Sequence, residues 1–121
     1  MHAKQLNDPA VIAHYQDAVT TFNSDLKPML CLVERLCQKD YAVHFTVRTS
    51  HDTLIIGDRQ PDCITVAYHP HLKRFQVRFC PAKGKLEIHN CVIEQVENLI
   101  DALALRLHLT LKEYFDNQGS V

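Results

Sequence analysis

The side chains best suited to chemistry in this 121-residue chain are basic or sulfur-bearing, and they recur at alternate positions through its middle. Arg48, Arg74, Arg78, His44, His69 and Lys85 fall at such positions, as do Cys63 and Cys80. Arginine presents a planar fork of N–H donors that grips carboxylate or phosphate through paired hydrogen bonds. Several arginines on one surface therefore point to an anionic partner. Two cysteines facing one another across a strand pair offer something else, either a shared zinc ion or a disulfide.

Catalytic motifs do not accompany these residues. The chain has no G-x-S-x-G, no P-loop and no G-x-G-x-x-G, and its glycines number three, Gly57, Gly84 and Gly119. Asp52, Asp58 and Asp62 sit among turn formers, where a short carboxylate shapes the backbone. Cys80 with His89 comes nearest to a nucleophile and its base, and nothing in the spacing singles it out. The expectation is a protein that is not an enzyme and needs no cofactor.

Strict alternation over residues 41–89 dictates the elements that position these side chains. Tyr41, Val43, Phe45 and Val47 alternate with His44, Thr46 and Arg48. Ile64, Val66 and Tyr68 alternate with Cys63, Thr65 and His69, and Phe75, Val77 and Phe79 with Arg74, Gln76, Arg78 and Cys80. Leu86 and Ile88 lie between Lys85, Glu87 and His89, while Thr53-Leu54-Ile55-Ile56 is too apolar to reveal its facing. A period of two gives each strand one apolar and one polar side, as in an antiparallel sheet covered on one face. The links 49–52, 70–73 and 81–84 are short and rich in turn formers, 57–62 is longer and polar, and no helix intervenes, so five strands form a meander.

Turns at 70–73 and 81–84 then set the pairing. His69 faces Arg74, Thr65 faces Arg78 and Cys63 faces Cys80; beyond the second turn Cys80 faces Lys85, Arg78 faces Glu87 and Gln76 faces His89. The outer face would hold three arginines, the histidines His44, His69 and His89, Lys85 and one glutamate.

Helical segments flank the sheet. Asp8-Pro9 reads as an N-cap followed by proline at the first helical position. Ile12, Tyr15, Val19, Phe22, Leu26, Met29, Val33 and Leu36 then follow at spacings of three and four, the stripe of a helix lying on its own sheet. Pro28 interrupts it, and Asn23-Ser24-Asp25 offers a new cap, so the segment is kinked or divides into helices 9–23 and 25–38. The last helix runs from Asn90 to about Asp116, with Ile93, Val96, Ile100, Leu103, Leu107, Leu111 and Tyr114 toward the sheet. Ala102, Leu105 and Leu109 form a second apolar strip on its far side, to be covered by the first helix or by a second copy in a homodimer.

The composition is that of one α+β domain over residues 1–121, of order α(α)-β-β-β-β-β-α with the helices on one face of the sheet. That element order is similar to frataxin-like folds in architecture alone: the first helix lacks a dense acidic ridge and the chain has no tryptophan. No apolar run approaches the roughly 20 residues needed to span a bilayer, and no signal-peptide stretch begins the chain, so the cytoplasm is expected. The five cysteines, Cys31, Cys37, Cys63, Cys80 and Cys91, lack C-x-x-C spacing and are expected to stay reduced.

Residues 1–40, 41–89 and 90–121 carry −1, +3 and −3, so the sheet is the basic part of a chain with net charge −1. These features predict an interaction or regulatory module, homodimeric, that binds an acidic protein through the basic sheet face. Nucleic-acid binding is the first alternative, weakened by the absence of a stacking aromatic on that face and by a pI near 6.7. Metal binding through Cys63, Cys80 and nearby histidines is the second.

Overall fold

The structure, a computed structural model, describes the backbone of residues 4–22, 24–50, 52–57, 63–81 and 84–119. Side chains within those stretches are described as far as Leu107, except at positions 22 and 24. The elements are β1 (Lys4–Gln5), α1 (Pro9–Asp17), α2 (Lys27–Leu36), β2 (Thr46–Ser50), β3 (Thr53–Ile56), β4 (Cys63–His69), β5 (Arg74–Cys80), β6 (Glu87–Cys91) and α3 (Ile93–Gly119). The strands form one antiparallel sheet in sequential order, β1 to β6. The fold is α+β, with six strands among the described residues instead of five. The addition is β1, a two-residue strand beside β2 that is too short to leave a pattern in the sequence.

Local chemistry sets the helix boundaries. The Asp8 carboxylate accepts a hydrogen bond from the Ala10 N–H at 2.9 Å, with Pro9 at the start of α1. After Asp17 the chain widens into a π turn over Ala18–Phe22 and tightens into a 3₁₀ turn over Ser24–Leu26. Pro28 then lies in the first turn of α2, where a missing N–H costs no hydrogen bond, so the segment is split rather than kinked.

Tyr15, Met29, Val33 and Leu36 of the expected stripe are fully buried, as are Ile100 and Leu107 of α3. They meet Val47, Leu54, Ile56, Ile64, Val66, Phe75, Val77 and Phe79 in one core on the inner face of the sheet. α3 lies over β4, β5 and β6, and α2 over β4. In β3, Leu54 and Ile56 point inward and Ile55 outward, which settles the facing the composition left open.

Two strand expectations are overturned. The first strand does not begin at Tyr41: Asp40–Val43 is a 3₁₀ turn, closed by Ala42 N–H to Lys39 C=O at 3.0 Å and His44 N–H to Tyr41 C=O at 2.9 Å. Tyr41 leaves the sheet because its hydroxyl donates to Asp101 of α3 at 2.7 Å. Val43 is consequently 47% exposed, and His44 stands off the outer face.

The second concerns β6. Glu87 pairs with Phe79, Ile88 with Arg78, His89 with Val77, Asn90 with Gln76 and Cys91 with Phe75. This is one residue out of the expected register, so every β6 side chain changes face. Glu87, His89 and Cys91 turn toward the helices, while Ile88 turns outward and is 49% exposed. Asn90 belongs to the strand, and α3 starts at Ile93 instead of at Asn90.

Candidate interaction face on the outer side of the sheet

The β4–β5 hairpin builds the centre of this face. His69 pairs with Arg74, Thr65 with Arg78 and Cys63 with Cys80, the register that turn length predicted. Leu72 N–H to His69 C=O at 3.2 Å closes the turn, and Lys73 takes a positive φ of 52° within it. Across the sheet, the outward side chains of one row are Arg48, Ile55, Thr65, Arg78 and Ile88. Strand spacing places Arg48 and Arg78 about 14 Å apart, and four residues along β5 place Arg74 a similar distance from Arg78. All three arginines are exposed, as are His69 and Lys85, the latter just before β6.

Few partners restrain these guanidiniums. Arg78 Nε donates to Gln76 Oε1 at 3.2 Å, and an Arg74 N–H donates to the Lys73 carbonyl at 3.4 Å, both in exposed settings. The expected Arg78–Glu87 pair across the strands does not form, because Glu87 is on the other side of the sheet. Among the described strand residues no carboxylate points outward, so this face is more uniformly positive than the sequence suggested. Its described strand residues include no outward Phe, Tyr or Trp: Phe75 and Phe79 are in the core, and Tyr68 shares their side of the sheet, its ring 4.8 Å from that of Phe75.

Glu87 has found other partners at the sheet edge. Arg106 of α3 grips it with two N–H donors at 3.0 and 2.7 Å while lying 4.5 Å over the Phe79 ring, and His89 is 3.2 Å away. Arg106, with His89 second, holds the Glu87 carboxyl down at about 2. A carboxyl depressed in the folded state contributes stability above its unfolded value, and that contribution is lost as pH falls through the folded value. The melting temperature of wild type should therefore exceed that of Glu87→Gln at pH 6. The gap should narrow between about pH 4.3 and pH 2. A gap constant over that range in thermal scans would rule out this role for Glu87.

A second polar cluster ties the end of α2 and the chain after it to α3. Lys39 donates to Glu97 at 2.7 Å and Asp101 at 3.2 Å, Arg35 reaches Glu97 at 3.3 Å, and Tyr41 donates to Asp101. Burial, then the Asp101 carboxylate, drives the Tyr41 hydroxyl far above its ordinary value, so it remains a donor. Beside this cluster lies an open groove of about 390 Å³ lined by Asp40, Tyr41, His44, Asp101, Ala104 and Leu105. Leu105 is 59% exposed and Ala102 is exposed, so neither α1 nor α2 covers that part of the apolar strip. The Leu109 side chain lies outside the described residues.

No family model matches the chain, and neither a curated protein nor a solved structure matches it. The residues therefore speak for themselves. Arg48, Arg74, Arg78 and His69 share the outer face, with Lys85 at its margin, whereas His44 lines the groove near α3. Ile55 and Ile88 are the additions the sequence did not point to. The only cue for Ile88 was the length of the link after Cys80, which determines the parity of β6.

Among the described residues no group of three or more His, Cys, Asp or Glu is placed to hold a metal ion. His69 is at the far end of β4 from Cys63, and His89 and Cys91 face the helices. No helix among the described residues is long and apolar enough to cross a membrane.

Proposed function

We propose that this protein is a cytoplasmic, non-catalytic interaction module, homodimeric, that binds an acidic protein partner through the outer face of its sheet. The observation carrying this reading is the row Arg48–Ile55–Thr65–Arg78–Ile88, in which two guanidiniums are flanked by isoleucines and no carboxylate intervenes. Arginines about 14 Å apart on rigid strands suit an extended acidic surface better than a single small anion. Ile55 and Ile88 supply apolar area of the kind that anchors protein interfaces. Nucleic acid is the less favoured ligand, because the outward residues of the described strands include no Phe, Tyr or Trp on which a base can stack, only the His69 imidazole.

The test is biolayer interferometry with immobilised poly-glutamate and, in parallel, a single-stranded oligonucleotide. Salt-sensitive binding of poly-glutamate, lost on charge reversal of Arg48, Arg74 and Arg78, is expected. Tighter capture of the oligonucleotide would favour nucleic acid, and no binding to either would leave the face simply solvated.

The homodimer is assigned to the strip carrying Ala102, Leu105 and Leu109. It is supported by the exposure of Leu105 beside the apolar floor of the groove. Leu105→Glu is expected to convert a dimer to a monomer in light scattering without changing the far-ultraviolet circular dichroism. A wild-type monomer at tens of micromolar would exclude this assignment.

A further inference from the structure

Cys63 and Cys80 are direct partners across β4 and β5, and both are reduced thiols in the structure. Directly opposed residues of antiparallel strands have Cα atoms about 4.5 or 5.5 Å apart, and either value lies within the span of a disulfide. The two sulfurs also differ in access: Cys63 is fully buried, whereas Cys80 is partly exposed. That asymmetry suits a pair in which one sulfur meets the oxidant and the other resolves the product. We propose that Cys63 and Cys80 form a reversible dithiol–disulfide site, with Cys80 as the attacking and Cys63 as the resolving thiol. This inference does not depend on the binding role of the sheet face.

With a small disulfide such as oxidised glutathione as oxidant, the Cys80 thiolate attacks one glutathione sulfur. The glutathione S–S bond breaks, the Cys80–glutathione bond forms, and one glutathione thiolate leaves. The Cys63 thiolate then attacks the Cys80 sulfur, expelling the second glutathione and closing the Cys63–Cys80 bond. Two protein thiols are oxidised, one glutathione disulfide is reduced to two thiols, and the protons of Cys63 and Cys80 pass to solvent or to the departing thiolates. Reduced glutathione reverses both exchanges, its thiolate opening the Cys63–Cys80 bond through the same mixed disulfide. The other three cysteines have no such arrangement: Cys31 is exposed on α2, the Cys37 thiol is within 2.9 Å of the Leu6 carbonyl, and Cys91 faces the core opposite Phe75.

The experiment exposes the full chain to oxidised glutathione, alkylates remaining thiols and maps the peptides by mass. Expected is a linked Cys63–Cys80 peptide pair within a monomer about two mass units lighter, with alkylation of Cys80 reduced at least about tenfold and restored by reduced glutathione. Cys63→Ala should halt the reaction at glutathionylated Cys80, and Cys80→Ala should leave Cys63 unmodified. The proposal is overturned by a Cys63–Cys80 pair still open when exposed Cys31 is glutathionylated, by linkage to another cysteine, or by linkage between chains. It is equally overturned if Cys63→Ala does not arrest Cys80 at the mixed disulfide.

Discussion

Replacing Phe75 by alanine is expected to lower the unfolding free energy by about 3–5 kcal/mol, the cost typical of removing a fully buried aromatic side chain. Phe75 is completely buried on β5, stands opposite Tyr68 and Cys91, and belongs to the core beneath the helices. Domains of this size hold only about 5–15 kcal/mol in total, so the variant should sit near the edge of folding. Urea titration reads the effect as a lower midpoint at an unchanged slope. Two controls sharpen the result. Leu72→Ala, in the β4–β5 turn and 68% exposed, and Ile88→Ala, outward on β6, should each stay within about 0.5 kcal/mol of wild type. A loss of several kcal/mol at Ile88 would restore the register in which that side chain points into the core. A loss below about 1 kcal/mol at Phe75 would contradict its place there.

Charge reversal of Arg48, Arg74 and Arg78 to glutamate together is expected to weaken binding of poly-glutamate, or of an acidic protein, by at least about a hundredfold. A hydrogen bond to a charged group contributes about 1.5–3 kcal/mol, so losing even two such contacts amounts to that factor before repulsion is added. The effect should shrink as salt is raised from about 50 to 500 mM, since the screening length falls across that range. All three side chains are exposed, and their only described hydrogen bonds are to Gln76 and the Lys73 carbonyl. The triple variant should therefore fold normally, which circular dichroism checks. Lys27→Glu, an exposed change in the first turn of α2, should alter binding by less than about twofold. Equal loss from Lys27→Glu would mean that net charge, and not this face, attracts the ligand.

The Ile88 control and the charge of the outer face both turn on the position of β6, whose side chains the sequence alone assigned to the opposite faces. The alternation Leu86, Glu87, Ile88, His89 is visible in the chain, but alternation has two phases. Hydropathy selects the one that buries Leu86 and Ile88. The folded chain adopts the other because Arg106, nearly twenty positions later, returns on α3 to lie over Phe79 and grip Glu87 with two hydrogen bonds. Cys91 then turns inward opposite Phe75. Tyr41 follows the same logic: it lies in phase with Phe45 and Val47, yet its hydroxyl is claimed by Asp101 on α3, so the chain coils where alternation implied a strand.

What depends on neighbours in the chain was legible without a structure. Asp8 and Pro9 start a helix because a short carboxylate caps its first N–H groups and proline needs none of its own. The four residues from Pro70 to Lys73 set the β4–β5 register, and with it the pairing of Thr65 with Arg78 and of Cys63 with Cys80. The stripes on the helices mark much of the core, as at Tyr15, Met29, Val33, Leu36, Ile100 and Leu107, because a period near 3.6 leaves one face to bury, whereas Ile93 at the start of α3 is 47% exposed. Only tertiary structure could decide the added strand β1, the phase of β6, the coil at Tyr41 and the placement of His44 beside α3. Each depends on a contact between distant segments, and no local period encodes those. The lack of an outward carboxylate among the described strand residues belongs to this second group, because a one-residue shift, stabilised from across the fold, moved Glu87 away from Arg48, Arg74 and Arg78.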